Sequence, residues 1–161
     1  MQIIQYQDLD SNVSDKIQSI INFVSNKYIF DSTEMTVSVD IRDNLDSDGH
    51  AAVDPCDEDD DYPLNFELEF SDALFSTVEL GGDQFWLTLV HEMVHIKQFA
   101  LNELRNFPKS IRWNGKFYRM PNGKIDLAKY LDYPWEVEAY SVEKNLYNEW
   151  KTSCTALDNA T

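Results

Sequence analysis

His91-Glu92-Met93-Val94-His95 places two imidazoles four residues apart with a carboxylate next to the first. On a helix that spacing stacks both rings on one face, one turn apart, where neutral ring nitrogens grip a single divalent ion; Zn²⁺ suits them. Glu92 then reaches a water at the ion without being a ligand, which is where a general base belongs. Two of the chain's three histidines fall in this otherwise apolar stretch. Burying His91, Glu92 and His95 without partners would cost several kcal/mol, whereas a metal and its supporting hydrogen bonds would satisfy all three.

A catalytic zinc needs a third protein ligand and an open fourth position. His50, in Asp48-Gly49-His50-Ala51, lies upstream in an acidic stretch and is the weakest choice. Tyr133-Pro134-Trp135-Glu136-Val137-Glu138-Ala139-Tyr140 offers two carboxylates on a late helix, and residues two apart diverge by about 200°, so only one can face the metal. Glu136 lies nearer the centre of the apolar stripe and is the expected ligand, with Glu138 as the alternative. The ordinary reading of either is a solvated acid favoured in a first helical turn by the helix dipole. An oxyanion formed at the site also needs a donor, and Tyr118, Tyr130, Tyr133 and Tyr140 are the candidates.

These residues need elements to hold them. Gln84 to Leu104 carries Trp86, Leu87, Leu89, Val90, Met93, Val94, Ile96, Phe99 and Leu101, a helix apolar nearly all round and therefore buried, with Asp83 after Gly81-Gly82 as its cap. Ser11 or Ser14 opens an earlier helix through Val13, Ile17, Ile20, Ile21 and Val24. Met35 to Arg42 and Leu64 to Phe70 alternate with the period of half-buried strands, and the Phe66, Leu68, Phe70 strand is the expected cleft edge, open to an extended peptide. Asn114-Gly115 between Ile111-Arg112-Trp113 and Lys116-Phe117-Tyr118 is a type I′ hairpin signal. Pro134 opens the last helix, with Trp135, Ala139, Val142, Leu146 and Trp150 in one stripe, and residues 152–161 read as a frayed tail.

The 161 residues form one domain in this reading, with 43% hydrophobic and 13% aromatic residues supplying a core. The class is α+β: N-terminal helix, small antiparallel sheet, buried motif helix, hairpin and glutamate-bearing C-terminal helix. Twenty-nine acids against thirteen bases give a formal charge of −16, which disfavours direct nucleic-acid binding and favours basic peptides. Residues 43–61 read as an acidic loop. Asp46-Ser47-Asp48-Gly49 matches part of a calcium loop, so a second divalent cation there is an option against simple solvation, and a lid over the cleft is another. Two cysteines, Cys56 and Cys154, make no disulfide framework, and neither a signal peptide nor a membrane span is evident. A monomeric cytoplasmic protein, in the host cytoplasm if virus-encoded, is the corresponding expectation.

Through His91-Glu92-Met93-Val94-His95, the following Gln98, Trp113-Asn114-Gly115-Lys116 and Pro134-Trp135-Glu136-Val137-Glu138-Ala139, the chain resembles minimal zincin metallopeptidases of the gluzincin type, including SprT-like and phage-encoded ones, over residues 60 to 150. The resemblance implies one zinc on His91, His95 and Glu136, Glu92 as general base, and endopeptidase activity on peptide or protein substrates. Glu136 stands where the gluzincin pattern Glu-x-x-Ala has its ligand. Four residues on, where such proteins often place an aspartate supporting a ligand histidine, stands Tyr140; a third ligand histidine and a zinc ribbon are not evident. The competing expectation is a non-catalytic acidic interaction protein, an inhibitor or nucleic-acid mimic in which zinc only holds the fold.

Overall fold

The computed structural model describes residues 1–5, 9–28, 34–43, 51–57, 60–120 and 125–158. In chain order the elements are β1 (Gln2–Gln5), α1 (Ser11–Tyr28), β2 (Thr36–Arg42), β3 (Ala51–Pro55), β4 (Asn65–Ser71), α2 (Asp72–Phe75), α3 (Gln84–Ala100), β5 (Leu104–Phe107), β6 (Ser110–Trp113), β7 (Lys116–Arg119), a 3₁₀ turn (Leu127–Asp132) and α4 (Pro134–Asp158). The α+β class holds. His50, the Asp46-Ser47-Asp48-Gly49 stretch, Glu58 and Asp59, and with them the calcium-loop and His50 readings, lie outside the described residues.

The main sheet has the order β1-β2-β4-β3. It is mixed rather than antiparallel: β1 and β4 both run parallel to β2, and only β3 opposes β4. Helix α1 returns the chain so that β1 and β2 run parallel, and the register pairs Val37 with Phe66 and Val39 with Leu68, stacking their apolar side chains on one face. Against that face lie Ile17, Ile20 and Ile21 of α1 and Leu89, Val90 and Met93 of α3, all fully buried. The opening cap of α1 is neither expected serine: Asp10 accepts from the Asn12 amide at 2.9 Å.

The acidic segment is not one loop. Its residues 51–55 form β3, which pairs with β4 from Ala51 opposite Phe70 to Pro55 opposite Phe66. Alternation across only five residues, with Asp54 exposed and Pro55 buried, is too short to stand out beside so many acids. The C-terminal tail also departs from expectation, because α4 continues to Asp158. Tyr147 donates to Asp83 at 2.8 Å and the Trp150 indole N–H to Ser19 at 3.0 Å, tying α4 to the start of α3 and to α1. Asp83 occupies the cap position of α3 but spends its carboxylate on Tyr147 and Lys151 rather than on helix amides.

Helix α3 ends at Ala100, earlier than its apolar pattern suggests. The Glu103 amide bonds the Gln98 carbonyl at 2.8 Å and the Asn102 amide bonds Phe99 at 2.9 Å, with Asn102 at φ 58°. This pair of bonds is a Schellman closure with asparagine in the usual glycine place. Leu104 then opens β5, so the hairpin is the outer part of a three-stranded ribbon, β5-β6-β7. Asn114 and Gly115, both at positive φ, form the turn. No helix among the described residues is long and apolar enough to cross a membrane.

Asn102 holds a left-handed turn and accepts from the Arg112 guanidinium, whose Nε is buried without a partner. Asn102→Ala therefore should lower unfolding free energy by about 1–2 kcal/mol and Asn102→Gly by less, since glycine keeps the turn and loses only the Arg112 bond. Chemical denaturation of the three proteins checks the order.

Candidate metal centre

Helix α3 turns His91, Glu92 and His95 toward the first turn of α4. There His91, His95 and Glu136 are buried and converge. The two Nε2 atoms stand 3.1 Å apart, and Glu136 places one carboxylate oxygen 3.3 Å from His91 Nε2 and the other 3.4 Å from His95 Nε2. Tetrahedral bonds of about 2.0–2.1 Å put neighbouring donor atoms about 3.3–3.4 Å apart, so this set is already spaced for one small divalent ion. The group is able to hold a metal ion.

The outer ring nitrogens are fixed by two different devices. His91 Nδ1 meets Glu143 at 2.8 Å. His95 Nδ1 meets the Gln98 side-chain oxygen at 2.7 Å. The fully buried Gln98 amide donates one N–H to the Trp135 carbonyl at 3.0 Å and the other to Glu138 at 2.8 Å, so only its oxygen is left for His95. His95 therefore carries a proton on Nδ1, which leaves Nε2 as the atom that donates to Glu136 when the ring is protonated and the one open to a metal when it is not. Glu138 is thereby accounted for: it binds Gln98 and Lys97 and lies outside the converging group.

The sequence left the partner of His91 unassigned, with Tyr140 in the position where a carboxylate was sought. Glu143 fills that role from seven residues past Glu136, two turns along the same face of α4. The i, i+7 spacing was the available signal. Tyr140 instead lays its ring against the His91 imidazole, with centroids 4.4 Å apart.

Charge in the cluster follows the geometry. Burial pulls the His91 pKa down, but its bonds to Glu136 and Glu143 outweigh this and carry it to about 10. His95 is likewise raised, burial being overcome by the bond to Glu136 and the field of Glu92. Glu136, despite its burial, is drawn down to about 2 by the two histidines. Glu92 is different: burial raises its pKa, and it has no hydrogen-bond or ion-pair partner among the described residues. Its side chain opens into a cleft of about 210 Å³ that also exposes His95, Glu136, Tyr130 and residues 52–54 of β3.

That cleft corrects the expected edge strand. Strand β4 is interior, between β2 and β3, and β3 is the outer strand beside the cleft. Among the four tyrosines, Tyr130 lines the cleft and bonds Glu136, with its pKa raised by burial and by that carboxylate. Tyr133 stacks on Trp135 at 4.7 Å and Tyr118 meets the same indole edge-on at 5.4 Å, so both pack rather than face the cleft. Cys56 and Cys154 are free thiols outside this group. No family model, curated protein or solved structure matches this chain.

Two outcomes follow. Gln98→Ala and Glu143→Ala should each weaken binding of a divalent ion by the cluster about 10–100-fold, as loss of a ligand's supporting partner generally does, while Glu138→Gln should have a smaller effect. Competition against a chromophoric chelator measures this. In chelated protein the cluster stabilises through protonated histidines and ionised Glu136. The histidine part is full below the ordinary value of 6.5 and fades as pH rises toward 10; the Glu136 part is full above 4.5 and fades as pH falls toward 2. A divalent ion held by the cluster should reverse the alkaline trend, because ligation releases those protons. Thermal melts from pH 5 to 9, with and without chelator, test the sign.

Proposed function

We propose that the protein is a zinc-dependent peptidase, one ion per chain, cutting peptide bonds with Glu92 as general base, in the manner of the zincins its motif resembles. One observation carries this reading: an unpaired carboxylate, Glu92, opens into the cleft immediately beside a ready-spaced His91, His95, Glu136 set. A purely structural zinc site is closed by four protein ligands. Here three ligand groups converge and the fourth direction adjoins a cleft.

His91, His95 and Glu136 would hold the ion, which supplies Lewis acidity, lowering the pKa of a water and polarising a carbonyl. Glu92 accepts the proton of the attacking water. Its buried setting favours the protonated form it then adopts, and it passes that proton to the departing amine. Tyr130, kept protonated by burial and by Glu136, lines the cleft, and its hydroxyl, released from Glu136 when that carboxylate holds the ion, would donate to the developing oxyanion. Tyr140 covers His91 and borders the site with its half-exposed ring. Nothing among the described residues pairs the outer edge of β3, which leaves backbone donors and acceptors for an extended peptide.

The test is metal content together with turnover. Glu92→Gln should keep about one zinc per chain by elemental mass spectrometry and lose at least about a thousandfold in peptide cleavage; His91→Ala and Glu136→Ala should lose the metal itself. Tyr130→Phe should keep zinc and lose about 10–1,000-fold in kcat with little change in KM. Cleavage that survives Glu92→Gln sinks the mechanism. A zinc-replete wild type that cuts nothing in a broad peptide library would favour the acidic interaction protein.

A further inference from the structure

The cleft does not end at the metal ligands. It shares Asp54, Phe99, Leu104 and Asn106 with a neighbouring hollow of about 240 Å³ between the β3–β4 connection and β5. Phe99 and Leu104, both nearly fully buried, form an apolar floor. Asp54, Asp57, Asp60 and Asp61 stand around it. The one cation in the lining, Arg105, is engaged by Asp61 and lies over the Phe107 ring.

Asp57 and Asp60 also accept from the Asn65 amide and the Tyr62 N–H. Asp54 has no hydrogen-bond or ion-pair partner among the described residues, and it is the carboxylate common to both hollows. Glu92, 7% exposed and without a hydrogen-bond partner among the described residues, lines the cleft that adjoins this hollow. One continuous groove therefore joins a buried, unpaired catalytic carboxylate to an apolar-floored recess with an acidic rim.

We propose that this recess is a specificity subsite for a lysine or arginine side chain of the bound peptide. The inference rests on the peptidase reading for the peptide but not for the recess itself. A long basic side chain has the matching anatomy: its methylene stem covers Phe99 and Leu104 while its charged end meets Asp54 and the neighbouring carboxylates. Neither a short polar nor an acidic side chain satisfies both halves. The overall charge of −16 also attracts basic peptides, but a diffuse field has no preferred position along the peptide, whereas a subsite does.

The experiment uses zinc-loaded Glu92→Gln protein and labelled ten-residue peptides differing at one central position, lysine, norleucine or glutamate, with binding read by fluorescence anisotropy. The lysine peptide should bind roughly tenfold tighter than the norleucine one. Asp54→Lys in that background should abolish the preference, and Glu79→Lys, an equal charge change at an exposed site elsewhere, should leave most of it. In parallel, wild-type protein should cut library peptides at one fixed offset from a basic residue. Equal binding of lysine and norleucine peptides, or equal loss in Asp54→Lys and Glu79→Lys, overturns the subsite. Selective lysine binding with no cleavage of any peptide by wild type keeps the subsite and overturns hydrolysis, while cleavage without a fixed offset does the reverse.

Discussion

The structure turns on one requirement: a helix buried on nearly every side carries four polar side chains inside the protein. His91, Glu92, His95 and Gln98 all lie on α3 and are at most 7% exposed. Left unmatched, each would cost on the order of 1–3 kcal/mol or more. The first turn of α4 answers three of them, through the Glu136 carboxylate, the Trp135 carbonyl and the Glu138 side chain. Lys97 extends the set by bridging Glu138 to Glu103, beyond the end of α3. A polar network satisfied this fully fixes one arrangement of the two helices. Glu92 is the member left out: it is buried with no hydrogen-bond partner among the described residues.

The charge surplus is arranged unevenly around this centre. On the sheet, Asp40, Glu67 and Glu69 come close enough to resemble a cation site, but Arg42 occupies their midst and pairs with all three. On α4, Glu136 and Glu143 are matched by histidines and Glu138 by Lys97. Around the hollow beside the β3–β4 connection there is less neutralisation: among the described residues that line it, Asp54, Asp57, Asp60 and Asp61 have one cation beside them, Arg105. Repulsion among them is tolerated at an exposed edge, where solvent screens it.

What was legible in the sequence was local. The motif helix, the alternation of β2 and β4, the Asn114-Gly115 turn and the choice of Glu136 over Glu138 all follow from periods of 2 and 3.6 read within one element. What was hidden depended on pairings between elements. Strand β3 is five residues whose alternation is masked by acids, and it exists because β4 offers an edge. Strand β1 is four residues, with no pattern of its own, paired to β2. The stop of α3 was obscured because Asn102, not glycine or proline, makes the left-handed turn. The roles of Gln98 and Glu138 required knowing which helix lies across from them.

The partner of His91 shows how helix geometry sets such limits. Four residues past Glu136 the helix has advanced about one turn and rotated 40° beyond it; seven residues past, it has rotated back to within about 20°. A short aspartate suits the nearer position. A longer glutamate at the farther one, leaning toward the helix start as helical side chains do, reaches the outer nitrogen of a ring whose inner nitrogen already faces Glu136. With Glu143 in that role, position 140 is free for the tyrosine that covers the ring. The arrangement needs α4 to be regular for at least three turns and held at a fixed angle to α3. Tyr147 on Asp83 and Trp150 on Ser19 supply that hold from farther along the helix. The long C-terminal helix is thus part of the candidate site, because its far anchors set where Glu136 and Glu143 fall.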